Sequence, residues 1–256
     1  MKFLTFNVRI DAPSDGTNEW KNRIKSVAEV LKAGDYPIVG LQEPTMKMLK
    51  ELIKEIPHYR YAGTARDERG EMTPILYQVE KVRLLTNETI WLSKTKYAES
   101  KFEDSNFNRI ATIAVFETNG TMEMFRFVNT HLDYANPDVQ KRQMSVLIDH
   151  LNKQSSIKRL PTIIVGDFNA TLDKPVHQYL KKSSLNGKSL TSIYGDENPK
   201  ATYHQFEGIL EGEPIDYVYY TEPFVKAGFV VIRDKFFQVY PSDHYPVEFS
   251  LNFINK

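Results

Sequence analysis

The sequence predicts a protein of mixed α and β structure, in which two β-sheets pack together and helices cover their outer sides. Two observations lead to this fold class. A helix-containing segment is followed by strands, and the same order of elements occurs again in the second half. No sequence repeat, low-complexity tract or interdomain linker separates the halves. We therefore expect residues 1–256 to form a single domain.

Apolar residues that recur on one face predict four amphipathic helices. They cover residues 20–32, residues 45–54, residues 137–152 and a short segment that starts near Pro175. Asn18 could cap the start of the first helix, and Gly34 could close its end.

Runs rich in Val, Ile, Phe and Tyr predict the strands. These runs fall at residues 3–7, 38–43, 74–77, 82–92, 110–116, 122–130, 163–169, 216–220, 225–233 and 245–253. The dipeptide Asn119-Gly120 predicts a hairpin turn between two of them. Polar, irregular loops are expected at residues 65–71, 93–108 and 186–213.

The amino-acid composition excludes some classes of function. The chain has equal numbers of basic and acidic residues, 33 of each, so its net charge does not favour binding to nucleic acid. A local basic patch that binds nucleic acid is still possible. The absence of cysteine excludes disulfides, thiol catalysis and thiolate metal sites. Met1 leads directly into the first predicted strand, so we expect no leader, and no run approaches the roughly 20 apolar residues of a membrane span. We expect a cytoplasmic protein.

Polar residues that bind metals or phosphate stand at the ends of four predicted strands and the starts of two others. The end of one strand lies beside the start of its antiparallel neighbour, so these residues can share one rim of the sheets. They are Asn7, Glu43, His131, Asp167, Asn169, Asp216, Asp243 and His244. Carboxylates, amides and imidazoles in one place suit a divalent cation and a phosphate.

Each rim residue has a structural alternative. Asp167 and Asn169 could form an Asx turn that closes a strand, and His131 could be a satisfied core histidine. The pair Asp243-His244 could be a capped turn with a solvated ring. Glu43 ends a buried run and needs a partner, either a cation or an arginine.

Asp216 could cap a turn after Pro214, and Asn7 could be a plain strand-end amide. These alternatives are reasonable one at a time. Their coincidence at a single set of strand ends favours a site for a hard cation, which requires a few oxygen ligands.

The motifs together resemble the endonuclease/exonuclease/phosphatase superfamily from end to end. They are TFNVR at 5–9, LQE at 41–43, NTHLD at 129–133, GDFN at 166–169, IDYV at 215–218 and SDHYPV at 242–247. The segment DGTNEWKNR at 15–23 is similar to an uncharacterised bacterial subgroup. The resemblance implies an α/β (α+β) four-layer αββα sandwich, with two mixed sheets face to face. It also implies Mg²⁺-assisted or Mn²⁺-assisted cleavage of a phosphoester by an in-line water.

The resemblance implies a role for each rim residue. Glu43 would be the main metal ligand, with Asn7 and Asp243 beside the ion. Asp167 would orient and deprotonate the water, and Asn169 would hold that water or a phosphate oxygen. His244, paired with Asp216, would donate to the phosphate, and His131 would bind another phosphate oxygen.

Three further residues are assigned less directly. Glu71 resembles a carboxylate that orients the histidine at 131, and Arg109 sits where relatives place a phosphate-contacting arginine. His204, in the long C-terminal loop, is expected either to shape the substrate pocket or to be a solvated loop histidine.

The substrate is left open as a nucleic acid, a nucleotide or a small organic phosphate, with no membrane insertion and no protein partner implied. Loop 65–71 mixes Arg66 with acidic residues and forms no basic ridge. Phe102 and Phe107 hint at a lipid phosphodiesterase of the sphingomyelinase type. The other alternative is a non-catalytic module that binds a phosphate ligand, which would not need both imidazoles and all the carboxylates. A nucleotidyl transferase would want a Gly-rich phosphate loop after an early strand, and the sequence has none.

Overall fold

A computed structural model describes residues 1–68, 70–154, 159–197 and 199–254, so Arg69 of the first predicted loop lies outside the described residues. Two mixed six-stranded sheets pack face to face, with helices outside. The first sheet consists, in spatial order, of β13 (Phe224–Val231), β14 (Val247–Phe253), β1 (Lys2–Asn7), β2 (Ile38–Gln42), β4 (Ile75–Gln78) and β3 (Tyr59–Ala62).

The second sheet has the same size and carries the other half of the rim. It consists of β11 (Thr191–Ser192), β12 (Asp216–Tyr220), β8 (Thr162–Asp167), β7 (Met124–His131), β6 (Ile110–Thr118) and β5 (Val82–Trp91). A separate short hairpin joins β9 (Ser184–Leu185) to β10 (Lys188–Ser189). The predicted fold class is therefore confirmed.

The helices lie on the outer faces of the two sheets. They are α1 (Trp20–Gly34), α2 (Met46–Glu55), α3 (Pro137–Gln154), α4 (Pro175–Lys182) and a 3₁₀ helix at Pro13–Asn18. Residues of α1 and α2 share an apolar cluster with Leu4 and Phe6 of β1. Residues of α3 and α4 share the other cluster, which also fills the space between the sheets. None of the described helices combines the length and apolar character needed to cross a bilayer.

Alternation along the inner strands decides which side chains lie between the sheets. In β1, Leu4 and Phe6 face the helices, whereas Phe3 faces the second sheet, with its ring 5.9 Å from that of Phe127. Asn7 continues the inward-facing series and lies at the end of the strand. In β7, Phe127 and His131 lie on the same face of the strand. Asn7 and His131 therefore both point into the space between the sheets.

The rim arises from parallel as well as antiparallel pairs, which corrects the antiparallel argument made from the sequence. β1 pairs with β2 in parallel, and β7 pairs with β8 in parallel. A helix joins the two strands of each parallel pair, as such crossovers require, so their carboxyl ends meet at one edge. β14 and β12 run antiparallel to these pairs and bring their amino ends to the same edge.

Local departures from the predictions have simple causes. Asn18 makes no cap, because it ends the 3₁₀ helix and Glu19 occupies the capping position of α1. Asp35, not Gly34, takes the left-handed conformation after α1. Strand β3 escaped prediction because only its two end residues are buried, which leaves no alternating pattern.

The pH dependence of stability tests the packing of His177 in α4. Its Nδ1 lies 2.8 Å from the Tyr219 hydroxyl and its Nε2 lies 3.1 Å from the Ala170 carbonyl oxygen. Burial lowers the pKa of His177 to about 4. The unfolded chain therefore binds a proton below about pH 6.5 that the folded protein rejects, so stability falls as the pH falls toward 4.

We expect His177→Gln to lose about 2 kcal/mol less stability than the wild type between pH 7 and pH 5. Urea unfolding at the two pH values measures this difference. An equal loss in both proteins would show that the folded protein accepts a proton on His177.

Candidate active site

Most of the predicted site residues line one pocket of about 420 Å³ at the shared edge of the two sheets. Those that line it are Glu43, Glu71, Arg109, His131, Asp167, Asn169, Asp243 and His244. Asn7 and Asp216 lie directly behind the lining and are bonded to it. His204 is the one predicted site residue that neither lines the pocket nor bonds to a lining side chain in the described part of the chain.

Asp167 stands at the centre because three neighbouring strands are in register there. His131 of β7 and Asp216 of β12 are its direct partners across the sheet. Gly166, with φ 152°, precedes it, and a Cβ at that position would lie 1.9 Å from the Thr130 carbonyl oxygen. Only glycine permits this close approach of β7 to β8, which sets the turn that carries Asp167 and Asn169.

Hydrogen bonds fix both oxygens of Asp167. Its Oδ1 accepts a bond of 2.8 Å from the Asn169 backbone N–H, and its Oδ2 accepts one of 3.0 Å from Asn7 Nδ2. Burial first, and then the neighbouring Asp216 carboxylate, raise the pKa of Asp167 above its ordinary value. A carboxylate with a raised pKa is suited to take up a proton near neutral pH.

Two imidazoles flank Asp167 Oδ2, with His131 Nε2 at 3.5 Å and His244 Nε2 at 3.7 Å. The Nδ1 of His244 lies 2.9 Å from Asp216 Oδ2. Burial lowers the pKa of His244, but the Asp216 and Asp167 carboxylates outweigh it and raise that pKa to about 10. His244 is therefore an imidazolium at neutral pH.

His131 has the opposite protonation state. Burial, followed by the charges of Arg109 and Arg66, lowers the pKa of His131 well below its ordinary value. Its Nε2 lies 3.0 Å from Asn169 Nδ2. Because an amide nitrogen only donates, this bond leaves the proton of the neutral ring on Nδ1.

Glu43 and Asp243 form the acidic side of the pocket. Glu43 follows β2 with φ 70°, and it accepts bonds of 2.9 Å from Asn7 Nδ2 and from the Ile10 backbone N–H. Burial would raise the pKa of Glu43, but these bonds outweigh it and the pKa is lowered. Burial raises the pKa of Asp243, whose Oδ2 lies 3.8 Å from Arg9 Nε.

The opposite side of the pocket is cationic. Arg66 and Arg109 are 3% and 4% exposed, and the Phe107 ring lies within 4.6 Å and 5.1 Å of their guanidinium carbons. The nearest carboxylate to Arg109 is that of Asp133, with Nε 3.9 Å from Oδ2. Among the described residues Arg109 Nε–H donates to no acceptor, which leaves one buried donor of this cation unpaired beside the pocket.

Glu71 has a different partner from the one expected. Its Oε1 accepts a bond of 2.7 Å from Arg66 Nη2, and no hydrogen bond joins it to His131 in the described part of the chain. Burial raises the pKa of Glu71, and the Arg66 charge opposes that rise. Glu71 therefore orients an arginine of the pocket, and its role toward His131 stays a prediction.

The structure also changes the position of His204. Its ring is 1% exposed and stacks on Tyr245 with a centroid distance of 3.8 Å. Burial lowers the pKa of His204 to about 4. The ring is neither solvated nor on the pocket surface, because the long loop folds back against the segment before β14.

Several lining residues were not predicted as site residues from the sequence. These are Arg9, Ile10, Arg66, Phe107, Tyr134, Tyr203 and Ile215. Arg9 is the last residue of the motif at 5–9 and bonds to both oxygens of Asp15 at 3.0 Å, so its place in the motif was a usable signal. Arg66, Tyr134 and Tyr203 come from loops, where no periodic pattern indicates direction.

Two groups of side chains could hold a divalent cation. Ligand atoms of Asp167, Asp216 and His244 lie within 4.8 Å of one another, and the Nδ1 of His244 lies at hydrogen-bond distance from Asp216. The Glu43 and Asp243 carboxylates fit a hard cation better, because both are oxygen donors that line the pocket.

Asn7 contributes to that acidic side through its nitrogen. Nδ2 donates to Glu43 and Asp167, and Oδ1 accepts a bond of 3.0 Å from the Arg9 backbone N–H. In this arrangement Asn7 positions the two carboxylates and does not offer its oxygen to the pocket.

Comparisons with solved structures give the same fold over the whole chain. The mannosyl-6-phosphatase of Bacteroides thetaiotaomicron VPI-5482 is 25% identical, with a TM-score of 0.89 over 99% of this chain and 100% of that one. A functionally unknown conserved protein from Enterococcus faecalis V583 is 26% identical, with a TM-score of 0.89 over 99% and 100%. The human Nocturnin catalytic domain, 20% identical, has a TM-score of 0.78 over 99% and 93% and shares the fold.

Curated relatives match a smaller part. The CCR4-Not complex 3'-5'-exoribonuclease subunit Ccr4 of Debaryomyces hansenii is 26% identical over 219 residues, which is 67% of this chain and 26% of the relative. The corresponding subunit of Kluyveromyces lactis is 26% identical over 61% of this chain and 24% of the relative. The chain spans about a quarter of the length of these relatives.

The sequence profile of one protein family extends over almost the entire chain, from residue 4 to residue 244, and includes every residue of the pocket. The chain belongs to the Endonuclease/Exonuclease/phosphatase family.

Proposed function

We propose that this protein is a phosphoester hydrolase that depends on a divalent cation, Mg²⁺ or Mn²⁺. The observation that carries the proposal is the position of Asp167 between two imidazoles, His131 and His244, with a second carboxylate, Asp216, against His244. Hydrolysis needs a base that takes a proton from water and a donor that stabilises charge on the phosphoryl group. Asp167 would supply the base, and His244 would supply the donor.

In the proposed reaction a water molecule attacks phosphorus in line with the leaving oxygen. The bond between water oxygen and phosphorus forms, the bond between phosphorus and the leaving oxygen breaks, and the products are a phosphate and an alcohol. Asp167 orients the water and takes its proton, and the leaving oxygen takes up a proton from solvent water as the alcohol departs.

The remaining side chains stabilise negative charge on the phosphoryl oxygens. His244 donates from Nε2 while Asp216 holds its other nitrogen. Arg109 approaches from the cationic side of the pocket. Asn169 holds the water or a phosphoryl oxygen, and His131 binds another oxygen.

Glu43 and Asp243 would hold the cation, and Asn7 would keep Glu43 in place beside Asp167. A bound divalent cation neutralises charge on the phosphoryl group and lowers the barrier to attack. The clustering of buried carboxylates supports this assignment, since such like charges need a compensating cation.

A small phosphomonoester is the substrate class that we favour. One solved relative that matches over its entire length is a mannosyl-6-phosphatase, whereas the exoribonuclease subunits are matched over about a quarter of theirs. The buried cations Arg66 and Arg109 with protonated His244 suit a doubly charged phosphate. Cleavage of a nucleic acid diester is the second candidate, supported by the exoribonuclease relatives.

The alternatives weighed from the sequence find less support. Phe102 lies under the Arg142 guanidinium at 4.9 Å, and Phe107 lies between Arg66 and Arg109, so neither ring extends as an apolar prong toward a lipid. A non-catalytic binding module would not require the Asp216–His244 bond, which keeps an imidazole charged.

Asp167→Asn tests the proposed base. The substitution preserves the shape of the side chain but removes the proton acceptor, so we expect kcat to fall by about 10²–10⁴-fold. The measurement is hydrolysis with Mg²⁺ or Mn²⁺ of a panel of monoesters, diesters, nucleotides and inositol and lipid phosphates. Release of inorganic phosphate reports on the monoesters, and release of the alcohol and the monoester product reports on the diesters. Circular dichroism and thermal unfolding should show that the variant remains folded.

Glu43→Gln and omission of the cation are the matched controls. Loss of the Glu43 charge should raise the Mg²⁺ concentration needed for half-maximal rate without changing the preferred substrate. Turnover of Asp167→Asn at the wild-type rate would remove Asp167 from the mechanism. Absence of wild-type turnover on the whole panel with both cations would contradict the proposed function.

Asp216→Asn tests the source of the His244 charge. The wild-type pKa of about 10 keeps His244 protonated until the pH rises through that value. Without the Asp216 charge the pKa should fall toward the ordinary value near 6.5, so the basic limb of the rate profile should move to lower pH. The pH dependence of kcat/KM with Mg²⁺ measures the shift, and an unmoved basic limb would separate His244 from the reaction.

A further inference from the structure

A second pocket, of about 300 Å³, adjoins the catalytic pocket, and Phe107 lines both. It lies between the loop at residues 65–71 and the loop at residues 93–108. Its other lining residues are polar, and they are Asp67, Glu68, Glu99, Lys101, Asn106 and Asn108. The two pockets together are large enough for a phosphate and a group bonded to it.

The charge of the second pocket indicates what kind of group it accepts. Its described lining includes three carboxylates and one ammonium group, whereas Arg66 and Arg109 line the catalytic pocket. A second phosphate or a nucleic acid strand would need cations there, because phosphate contacts are made mainly by arginine and lysine. The lining therefore favours a leaving group without negative charge.

The hydrogen-bonding capacity of the lining favours a group with several hydroxyls. Carboxylates only accept, an ammonium only donates, and the amides of Asn106 and Asn108 do both. A hydroxyl both donates and accepts, so a polyol can satisfy this mixed set. A nucleobase presents a flat aromatic face and needs stacking surfaces on which to bind, and Phe107 is the single aromatic residue among the described lining residues.

The loop that forms this pocket is held in place before any ligand binds. Asn108 Nδ2 donates to Glu99 Oε1 at 3.0 Å, and Lys101 Nζ donates to the Asn106 carbonyl oxygen at 3.2 Å. Fully buried Asp133 accepts a bond of 2.8 Å from the Phe107 backbone N–H. Asp133 stands two residues after His131, so the bond fixes the second pocket relative to the phosphate-binding groups.

The Phe107 ring forms the boundary between the two pockets. It lies against Arg66 and Arg109 and is 5.8 Å from the Tyr134 ring. An aromatic face at this boundary offers apolar surface to the C–H groups of a sugar ring. The phosphate would then lie on the arginine side and the ring hydroxyls on the polar side.

We propose, on the basis of the proposed function, that this second pocket binds the alcohol part of the substrate. That part is a neutral, polyhydroxylated group such as a hexose, carried by a phosphomonoester whose phosphate occupies the catalytic pocket. Glu99 and Asn108, which are hydrogen-bonded to each other, determine specificity. The Glu99 carboxylate offers acceptors to the ligand hydroxyls, and the Asn108 amide offers a donor and an acceptor.

The kinetic test compares mannose 6-phosphate with phenyl phosphate, which carries the same phosphate on a group without hydroxyls. For Glu99→Gln and Asn108→Ala, the ratio of kcat/KM for mannose 6-phosphate to that for phenyl phosphate should fall about tenfold. Glu103→Gln is the matched control, since Glu103 is exposed on the same loop and outside the pocket. An unchanged ratio in both pocket variants, or a wild-type preference for adenosine 5'-monophosphate over mannose 6-phosphate, would overturn the proposal.

A binding experiment separates failure of this proposal from failure of the proposed function. Calorimetry on the Asp167→Asn protein should show tighter binding of mannose 6-phosphate than of inorganic phosphate. In the double variant Asp167→Asn, Glu99→Gln, the ratio of the two dissociation constants should be about tenfold smaller. A preserved difference without wild-type turnover would support the pocket and contradict the hydrolase. Turnover without any difference in binding would support the hydrolase and contradict the pocket.

Discussion

The site depends on one amide that joins the two sheets. Asn7 extends from β1 of the first sheet, and its Nδ2 donates both to Glu43 and to Asp167 at the end of β8 in the second sheet. This places the acidic side of the pocket within hydrogen-bond reach of the central carboxylate. Two buried donor bonds to carboxylates are strong, and loss of Asn7 would leave both acceptors unsatisfied.

A second pair of buried amides supports that contact from below. Gln42 Nε2 donates to Asn129 Oδ1, and Asn129 Nδ2 donates to the backbone oxygens of Leu41 and Pro74. Gly40 makes this approach possible, because a Cβ there would lie 2.7 Å from Val165 and 3.0 Å from Asn129. The hydrogen bonds of Gln42 and Asn129 fix the position of one sheet relative to the other. The charged groups at the ends of the strands are therefore held in fixed positions as well.

Much of the fold and of the rim could be predicted from the sequence, because strand periodicity places residues on faces and strand ends on edges. Asp167, His131 and His244 were found in that way. Loop geometry has no such period, so the contribution of Arg66 and Tyr203 to the pocket, the Arg66 partner of Glu71 and the burial of His204 could not be foreseen. A single domain stays a prediction, as do the individual catalytic roles.

The central claim is that two imidazoles in different protonation states lie on either side of Asp167, a neutral His131 and a protonated His244. Nitrogen-15 chemical shifts of the two imidazoles at pH 8 test it directly, with His131→Gln and Asp216→Asn proteins to assign the signals. The account predicts a doubly protonated ring for His244, whose pKa is raised to about 10, and a neutral ring for His131, whose pKa lies well below its ordinary value. A neutral His244 ring, or equal protonation of both rings, would contradict the account.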